Sequence, residues 1–477
     1  MRVCDVISGK PPETGATMAT VEQTTSAAQL QGLLHGTYLD PKAPGYDGAR
    51  ALYNAMIDKR PAAIVRCADA ADVIATLGYA REHDLRVAVR GGGHNGAGLG
   101  SVDDGLVIDL SPMHGVIVDP ADKVVRVQGG ATLAAVDHAT HAFGLAVPGG
   151  IISTTGIGGL TLGGGLGHIT RRCGLTIDNL LSADVVLADG TCLTASAERN
   201  EDLFWALRGG GGNFGIVTSF TFRCHEVANV IAGPVLYDLD HAAELLSWWR
   251  EFGPAQPDEL SGFFAFLSVP PGPPFPEELH LRKVCGVLWC YCGGEADPAC
   301  LREARGFGSP LLDGVQPMPL PALQSAFDGV YPPGDQWYWR GNFVSELPDA
   351  AIERHVEHGA AMPTWKSTMH LYAIDGAASK VGADETPWAY RDAKWAQVIV
   401  GVDPEPANAD AIRQWCVDYW EATHPYSMGG AYVNFMMEEG QERVQATYRG
   451  NYARLAEIKA KYDPDNFFRV NQNIRPA

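Results

Sequence analysis

Residues 86–105, RVAVRGGGHNGAGLGSVDDG, decide how the rest of the chain is read. A strand-like run, LRVAV, opens into Gly91, Gly92 and Gly93, and His94, Asn95 and a second glycine-rich turn follow. Gly91, Gly93 and Gly96 have the G-x-G-x-x-G spacing that, in a Rossmann unit, sets a pyrophosphate on the N-terminus of the next helix. Here the next residues are AGLGSVDDGLVIDL, turn residues and then another strand, with no 3.6-residue period. The Rossmann reading lacks the helix it depends on. Backbone N–H groups and a histidine are being gathered for something else.

Working outward, AAIVRCADAADVIATLGYAREHDLRVAV reads as strand, amphipathic helix over 69–83, and strand. GLVIDLSPMHGVIVDPADKVVRVQGG continues as strands before a helix, and DVVLADGTCLTA is a hairpin turning at Asp189 and Gly190. NEDLFWALRGG is a short helix ahead of the strand GIVTSFTFR. After Cys224 the composition shifts, and most tryptophans and prolines fall before about residue 424. FFAFLSVP and LRKVCGVLWCYCGG read as strands before the helix DPACLREARGF. STMHLYAID and AQVIVGVD likewise precede the helix ANADAIRQWCVDYW. That order predicts an antiparallel sheet backed by helices. The last segment reads as helical with an Asn-rich closing turn.

At 477 residues and 46% hydrophobic, the chain is long enough for about two well-filled domains. A formal net charge of -20 argues against nucleic acid and anionic membranes as partners. The N-terminus lacks the apolar core of a signal peptide and no apolar run reaches membrane-spanning length, so a cytoplasmic, soluble enzyme is expected. Residues 1–25 read as a disordered tail, with Met18 an alternative start. The ten cysteines show no disulfide framework. Of the cluster Cys285, Cys290, Cys292 and Cys300, Cys290 and Cys292 alternate on one strand face, which reads as buried thiols; no metal site is predicted.

Four motifs, VRGGGHN, DNLLSADVVLADG, DLFWALRGGGGNFGIVTSF and KYDPDNFFRVNQNI, stand in an order and spacing that resembles the vanillyl-alcohol-oxidase-type flavoproteins. Within these the chain resembles the berberine-bridge-enzyme-like group. The resemblance implies an α+β protein with a PCMH-type FAD-binding domain of two small subdomains over 26–226. A substrate domain with an antiparallel sheet backed by helices follows over 227–425, and 426–477 return to the FAD domain. It also implies FAD bound covalently through His94, with Arg90, Gly91, Gly92, Gly93, Asn95 and Leu99 wrapping the pyrophosphate. The second glycine stretch, read as strand and turn along the flavin, brings Gly149, Gly150, Thr154, Thr155, Gly158, Gly159, Leu160, Gly165 and Gly167. Asn179, Gly215, Ile216, Val217, Asn434 and Asn471 complete the implied FAD contacts. Doubly attached members carry a cysteine where this chain has Ile152, and Cys173 stands where the family has an aromatic residue, so attachment through His94 alone is expected. Thr155, at the oxygen-facing position, leaves room for dioxygen.

Hydride transfer from an alcohol needs a base for the hydroxyl proton. Many relatives use the second tyrosine of a YxNY run; here Tyr432 and Asn434 stand and Phe435 replaces the base. Alternation places His370 and Tyr372 on one strand face, and Gln397 aligns with a substrate-facing position. His370, with an ordinary pKa of about 6.5, is the expected base, so flavin reduction should decline below that pH. Asn471 or Gln472 is placed near the flavin's polar edge. The expected function is an FAD-dependent oxidase acting on an alcohol, sugar or secondary metabolite, as a monomer or homodimer, with dioxygen as acceptor. Three other readings stay open: an oxygenase of a polyketide-like or aromatic substrate, a dehydrogenase with poor oxygen reactivity, and a flavin-binding protein without turnover.

Overall fold

The strands framing the opening loop build the first sheet, in the order Thr37–Leu39, Ala63–Arg66, Leu106–Asp109, Val87–Arg90. Both Ala63–Arg66 and Val87–Arg90 run parallel to Leu106–Asp109, which is buried at every position. A parallel pair needs a crossover, and the helix Ala70–Glu82 supplies it. The Asp69 side chain caps that helix by accepting from the Asp72 N–H, and Val73, Leu77 and Ala80 pack under the sheet. No helix follows the glycines: residues 91–105 run as loop and turns into Leu106–Asp109. The computed structural model describes residues 25–477, so the expected tail (except Thr25) and Met18 lie outside the described residues.

A second, five-stranded antiparallel sheet runs Val116–Asp119, Val124–Gln128, Ile216–Arg223, Leu180–Val186, Cys192–Ser196. Its last two strands are the hairpin, and Gly190 takes the left-handed turn position with φ 85°.

The largest sheet is antiparallel throughout. Its main strands lie in the order Asn229–Asp238, Lys283–Tyr291, Leu260–Ser268, Thr368–Ala373, Trp395–Asp403, Gln336–Val344. Helices Ala242–Ala255, Asp349–Ala360 and Ala409–Thr423 cover one face, in a core containing Trp249, Phe264, Ile399 and Tyr419. The alternate residues Phe263, Ala265, Cys290, Tyr372 and Val398 belong to a separate core shared with the five-stranded sheet. Period-two alternation therefore divides each strand between two environments. Cys290 and Cys292 are buried in this second core, on one face as their spacing indicates.

The fold is α+β, as expected. One segment departs from the reading: the stretch taken as strand and turn contains a helix, Ile157–Gly163. Glycine disfavours helix by about 1 kcal/mol each, which hid it. Packing overrides that preference, because a Cβ on Gly158 would stand 2.8 Å from the Gly129 carbonyl oxygen. The bare helix face is what lets the two backbones meet.

Ion pairs fasten the parts. Arg171 donates to Asp375 at 2.8 Å, and Arg391 grips Asp178 at 2.8 and 2.7 Å. On the helix Asn451–Tyr462, the fully buried Lys459 reaches Asp463 at 2.6 Å and the carbonyls of Asn213 and Phe468 at 2.6 and 2.9 Å.

Candidate active site

A cleft of about 380 Å³ lies where these parts converge. One side is backbone: the loop with Gly91, Gly92, Gly93, His94 and Asn95, the turn into Ile157–Gly163, and residues 211–217. The two glycine-rich loops touch, since a Cβ on Gly92 would sit 2.4 Å from the Gly156 nitrogen and one on Gly156 2.3 Å from the Gly92 nitrogen. No side chain fits at either position. Another wall is the face of the large sheet turned away from its helices, with Trp337, Trp339, Thr368, His370, Tyr372, Val398 and Val400. Tyr432, Val433, Asn434 and Phe435 complete the lining together with Phe468, Val470, Asn471 and Gln472, and Gln472 donates to the Met437 carbonyl at 2.8 Å, which ties the two segments together.

His94 enters from the opening loop. Its Nε2 lies 2.9 Å from the Thr154 hydroxyl, and its ring stacks on Tyr53 at 3.9 Å with 20° between planes. Enclosure between loop and wall pushes its pKa down to about 4, so the imidazole is neutral at neutral pH. Tyr53 is fixed in turn by donating to the Tyr331 carbonyl.

Buried polar groups on the cleft walls are unpaired among the described residues: Nη1 of Arg90, whose Nη2 donates to Asp109 at 2.8 Å, Oδ1 of Asn471, and the indole nitrogens of Trp337 and Trp339. A Cβ at Gly159 or Gly212 would meet no atom within 4 Å. A long groove edged by free backbone, with a guanidinium nitrogen and an amide oxygen left over, fits a dinucleotide with a planar ring system. A flavin adenine dinucleotide is such a group.

The large-sheet wall carries polar side chains of its own. His370 Nδ1 is 2.6 Å from the Tyr372 hydroxyl, and its Nε2 is 2.9 Å from the Thr368 hydroxyl. Burial pushes the His370 pKa down to about 3 and the Tyr372 pKa well up. This corrects the expected titration near pH 6.5: His370 is 8% exposed and the imidazolium has lost its water. Both ring nitrogens are also engaged, so the direct base expected of His370 is not poised here. Tyr432 also lines the cleft, its oxygen accepting from the Gly165 N–H at 2.9 Å and the Asn434 amide at 2.7 Å. Burial pushes its phenol up to about 12. Phe435 stands between the two tyrosines, 4.8 Å from Tyr432 and 5.8 Å from Tyr372 by ring centres.

Of the residues singled out from sequence, the cleft brings together Arg90, Gly91, Gly92, Gly93, His94, Asn95, Leu99, Gly150, Thr155, Gly158, Gly159, Leu160, Gly215, Ile216, Val217, His370, Tyr372, Tyr432, Asn434 and Asn471. Thr154 stands just behind, on His94. Gln397 is a correction: it lies on the helix-covered face, accepting from Asn342 at 2.8 Å and donating to Thr423 at 3.3 Å. Its neighbours Val398 and Val400 line the cleft instead, a shift of one residue that flips the side chain. Asn179 is also misplaced, its amide donating to the carbonyls of Cys173 and Leu175 at 2.8 and 2.9 Å to hold a turn. Gly149, Gly165 and Gly167 lie in the layer behind. Gly165 supports Tyr432, and Gly167 faces the carbonyls of Gly149 and Gly150. Sequence reasoning missed Tyr53, Asn213, Thr368, Trp337 and Trp339. Alternation in QWYWRGNF would have paired the two tryptophans on one face; Tyr53 and Asn213 carry no local signal.

Known proteins agree with this assignment of fold and cofactor. Residues 61–196 match the family model described as FAD binding domain, and residues 431–475 the model described as berberine and berberine like. An FAD-linked oxidoreductase of Dictyostelium discoideum is 32% identical over 430 residues, 89% of this chain and 91% of that one. Glucooligosaccharide oxidase of Sarocladium strictum is 28% identical over 512 residues, covering 96% of this chain and 100% of its own. The crystal structure of 6-hydroxy-D-nicotine oxidase from Arthrobacter nicotinovorans superposes with a TM-score of 0.84 at 25% identity, covering 95% of this chain and 100% of that one. The chain belongs to the berberine-bridge-enzyme-like FAD-linked oxidoreductases. Among the described residues no helix is long and apolar enough to cross a membrane.

Proposed function

We propose that the protein is an oxidase that takes a hydride from a hydroxyl-bearing small molecule, with FAD held covalently through His94 alone and dioxygen as the final acceptor. The observation that carries this reading is the position of His94. It is neutral, stacked on Tyr53, tethered by Thr154, and lines the same cleft as the Tyr372–His370 pair. Arg90, the 91–95 loop, Gly159, residues 211–217 and Asn471 are the groups that would hold the dinucleotide. Bound FAD supplies the hydride acceptor.

The chain's own residues do the rest. Thr154 holds one imidazole nitrogen of His94, fixing the ring's orientation. Trp337, Trp339, Val398 and Val400 give the substrate a largely apolar wall, which excludes water from the reacting centre. Tyr432, whose oxygen already accepts two hydrogen bonds, has its own proton left for a group in the cleft. Ile152 lines the cleft where a second attachment cysteine would stand, while Cys173 does not line it and neighbours Cys290 and Cys292. Thr155 leaves a small polar side chain for dioxygen to pass. We assign 26–226 with 426–477 to the FAD unit and 227–425 to the substrate domain; Lys459 and Asn213 support the joining of the first two.

The named relatives include oxidases of a glucooligosaccharide and of a hydroxynicotine, which supports a hydroxyl-bearing, ring-shaped substrate. Two measurements test the proposal. Flavin colour should stay with acid-precipitated protein and move to the supernatant for His94→Ala. Anaerobic addition of sugars, benzylic alcohols and phenolic alcohols should bleach the flavin, and air should restore it with release of peroxide. Colour retained by His94→Ala refutes the attachment, and a flavin that none of these alcohols bleaches refutes the oxidase.

A further inference from the structure

The hydrogen bonds around His370 have one consistent direction. The Thr368 hydroxyl lies 2.7 Å from the backbone carbonyl of Phe266 and 2.9 Å from His370 Nε2. A carbonyl oxygen has no proton, so the short contact to it requires the threonine to donate there. The single threonine proton is then spent, and toward His370 the hydroxyl can only accept. His370 Nε2 therefore carries the ring proton. The ring is neutral in its buried setting, so Nδ1 is bare, and its partner at 2.6 Å is the Tyr372 hydroxyl, which must donate. The chain runs Tyr372 O–H to Nδ1, Nε2–H to Thr368, and Thr368 O–H to the Phe266 carbonyl. Phe263, 4.9 Å from the His370 ring, packs it in place with an apolar face that offers no competing partner.

We propose that Tyr372 is a hydrogen-bond acceptor only toward the cleft and selects substrates that present an O–H or N–H donor at that point, with His370 and Thr368 as positioning residues that set its direction. The inference rests on the reading that substrate occupies this cleft. Its one proton committed to His370, the Tyr372 oxygen turns lone pairs outward. An ether, ester or ketone oxygen placed against it meets oxygen against oxygen, and a buried polar group left unpaired in this way is costly. Tyr432, which lines the same cleft with Phe435 packed between the two phenols, has the opposite polarity, with two bonds accepted at its oxygen and its proton free. The two phenols thus offer the substrate one acceptor and one donor.

The test uses the FAD-loaded enzyme and two readouts. In protein with ¹⁵N-labelled histidine, the resonances lost in His370→Leu should show Nε2 protonated and Nδ1 unprotonated at neutral pH; the opposite tautomer overturns the proposal. Phenol and anisole, which differ in the donor, are then titrated in against the perturbation of the flavin absorbance. Phenol should bind about tenfold more tightly, the upper end of what one neutral hydrogen bond gives. In Tyr372→Phe that preference should vanish; if it persists, it is steric and the proposal fails. In His370→Leu the phenol proton is released, and anisole should gain relative to phenol. Equal binding of the two to the parent enzyme, or binding of neither, also overturns it. Failure of the oxidase reading is seen separately, as a flavin that no alcohol reduces while the tautomer and the phenol preference stand.

Discussion

Lys459 and Asn213, 246 residues apart in sequence, meet through a 2.6 Å hydrogen bond from ammonium to backbone carbonyl in the interior. Asn213 is itself held from both sides, its amide donating to the Gln472 carbonyl at 3.1 Å and its side-chain oxygen accepting from the Ile474 N–H at 2.9 Å. Two strips of the cleft wall, residues 211–213 and 468–472, are thereby locked together.

Lys459→Met should loosen that lock. It leaves Asp463 buried without its cation, and breaking a buried pair from one side costs about 3–5 kcal/mol. Urea unfolding should show a loss of that order, and flavin per polypeptide should fall. A variant with parent stability and full flavin content would refute the assignment of Lys459 as the clasp.

Gly92→Ala tests the closeness of the two glycine loops. The added methyl would stand 2.4 Å from a backbone nitrogen, so the loops must part. Overpacking of this kind costs about 1–3 kcal/mol and should come with a sharp loss of bound FAD. Unchanged melting temperature and flavin content would show that the loops separate freely.

Gln397→Leu separates structure from catalysis. The substitution strands the Asn342 amide and should cost about 1–3 kcal/mol in stability. With Gln397 facing the helices, kcat and KM for whichever alcohol reduces the flavin should stay within about twofold of the parent. A large rise in KM would return Gln397 to the cleft.

Acid sensitivity follows from buried histidines. His168, His355 and His370 are pushed down by burial to about 4, 3 and 3, against about 6.5 in an unfolded chain. Between pH 6.5 and about 4 the unfolded chain binds protons that the fold refuses, so stability falls as pH falls, by about 1.4 kcal/mol per pH unit for each group. Asp137 has the opposite sign: burial pushes it up to about 7, so between pH 4 and 7 the fold keeps a proton the unfolded chain has lost. Urea midpoints should drop from pH 7 to pH 5, and more steeply in Asp137→Asn. A flat profile would contradict the burial of these rings.

Much of the site was readable from residues 86–105 and their neighbours because glycine spacing reports a backbone wall directly. The antiparallel wall was readable from period-two strands, which placed His370 and Tyr372 together. Three things were not. The helix Ile157–Gly163 is set by contact with Gly129, against local propensity. The face of Gln397 depends on a register one residue fine. The depressed pKa of His370 is a property of its surroundings, which no strand pattern reveals.

The alternation of the large sheet has a consequence for how such a protein changes over generations. Thr368, His370 and Tyr372 look into the cleft while Met369 and Leu371 anchor the same strand to its helices. Mutation at the even positions can rewrite what the enzyme accepts while the odd positions keep the strand in place. New specificities are therefore reachable by single substitutions, without passing through an unfolded ancestor.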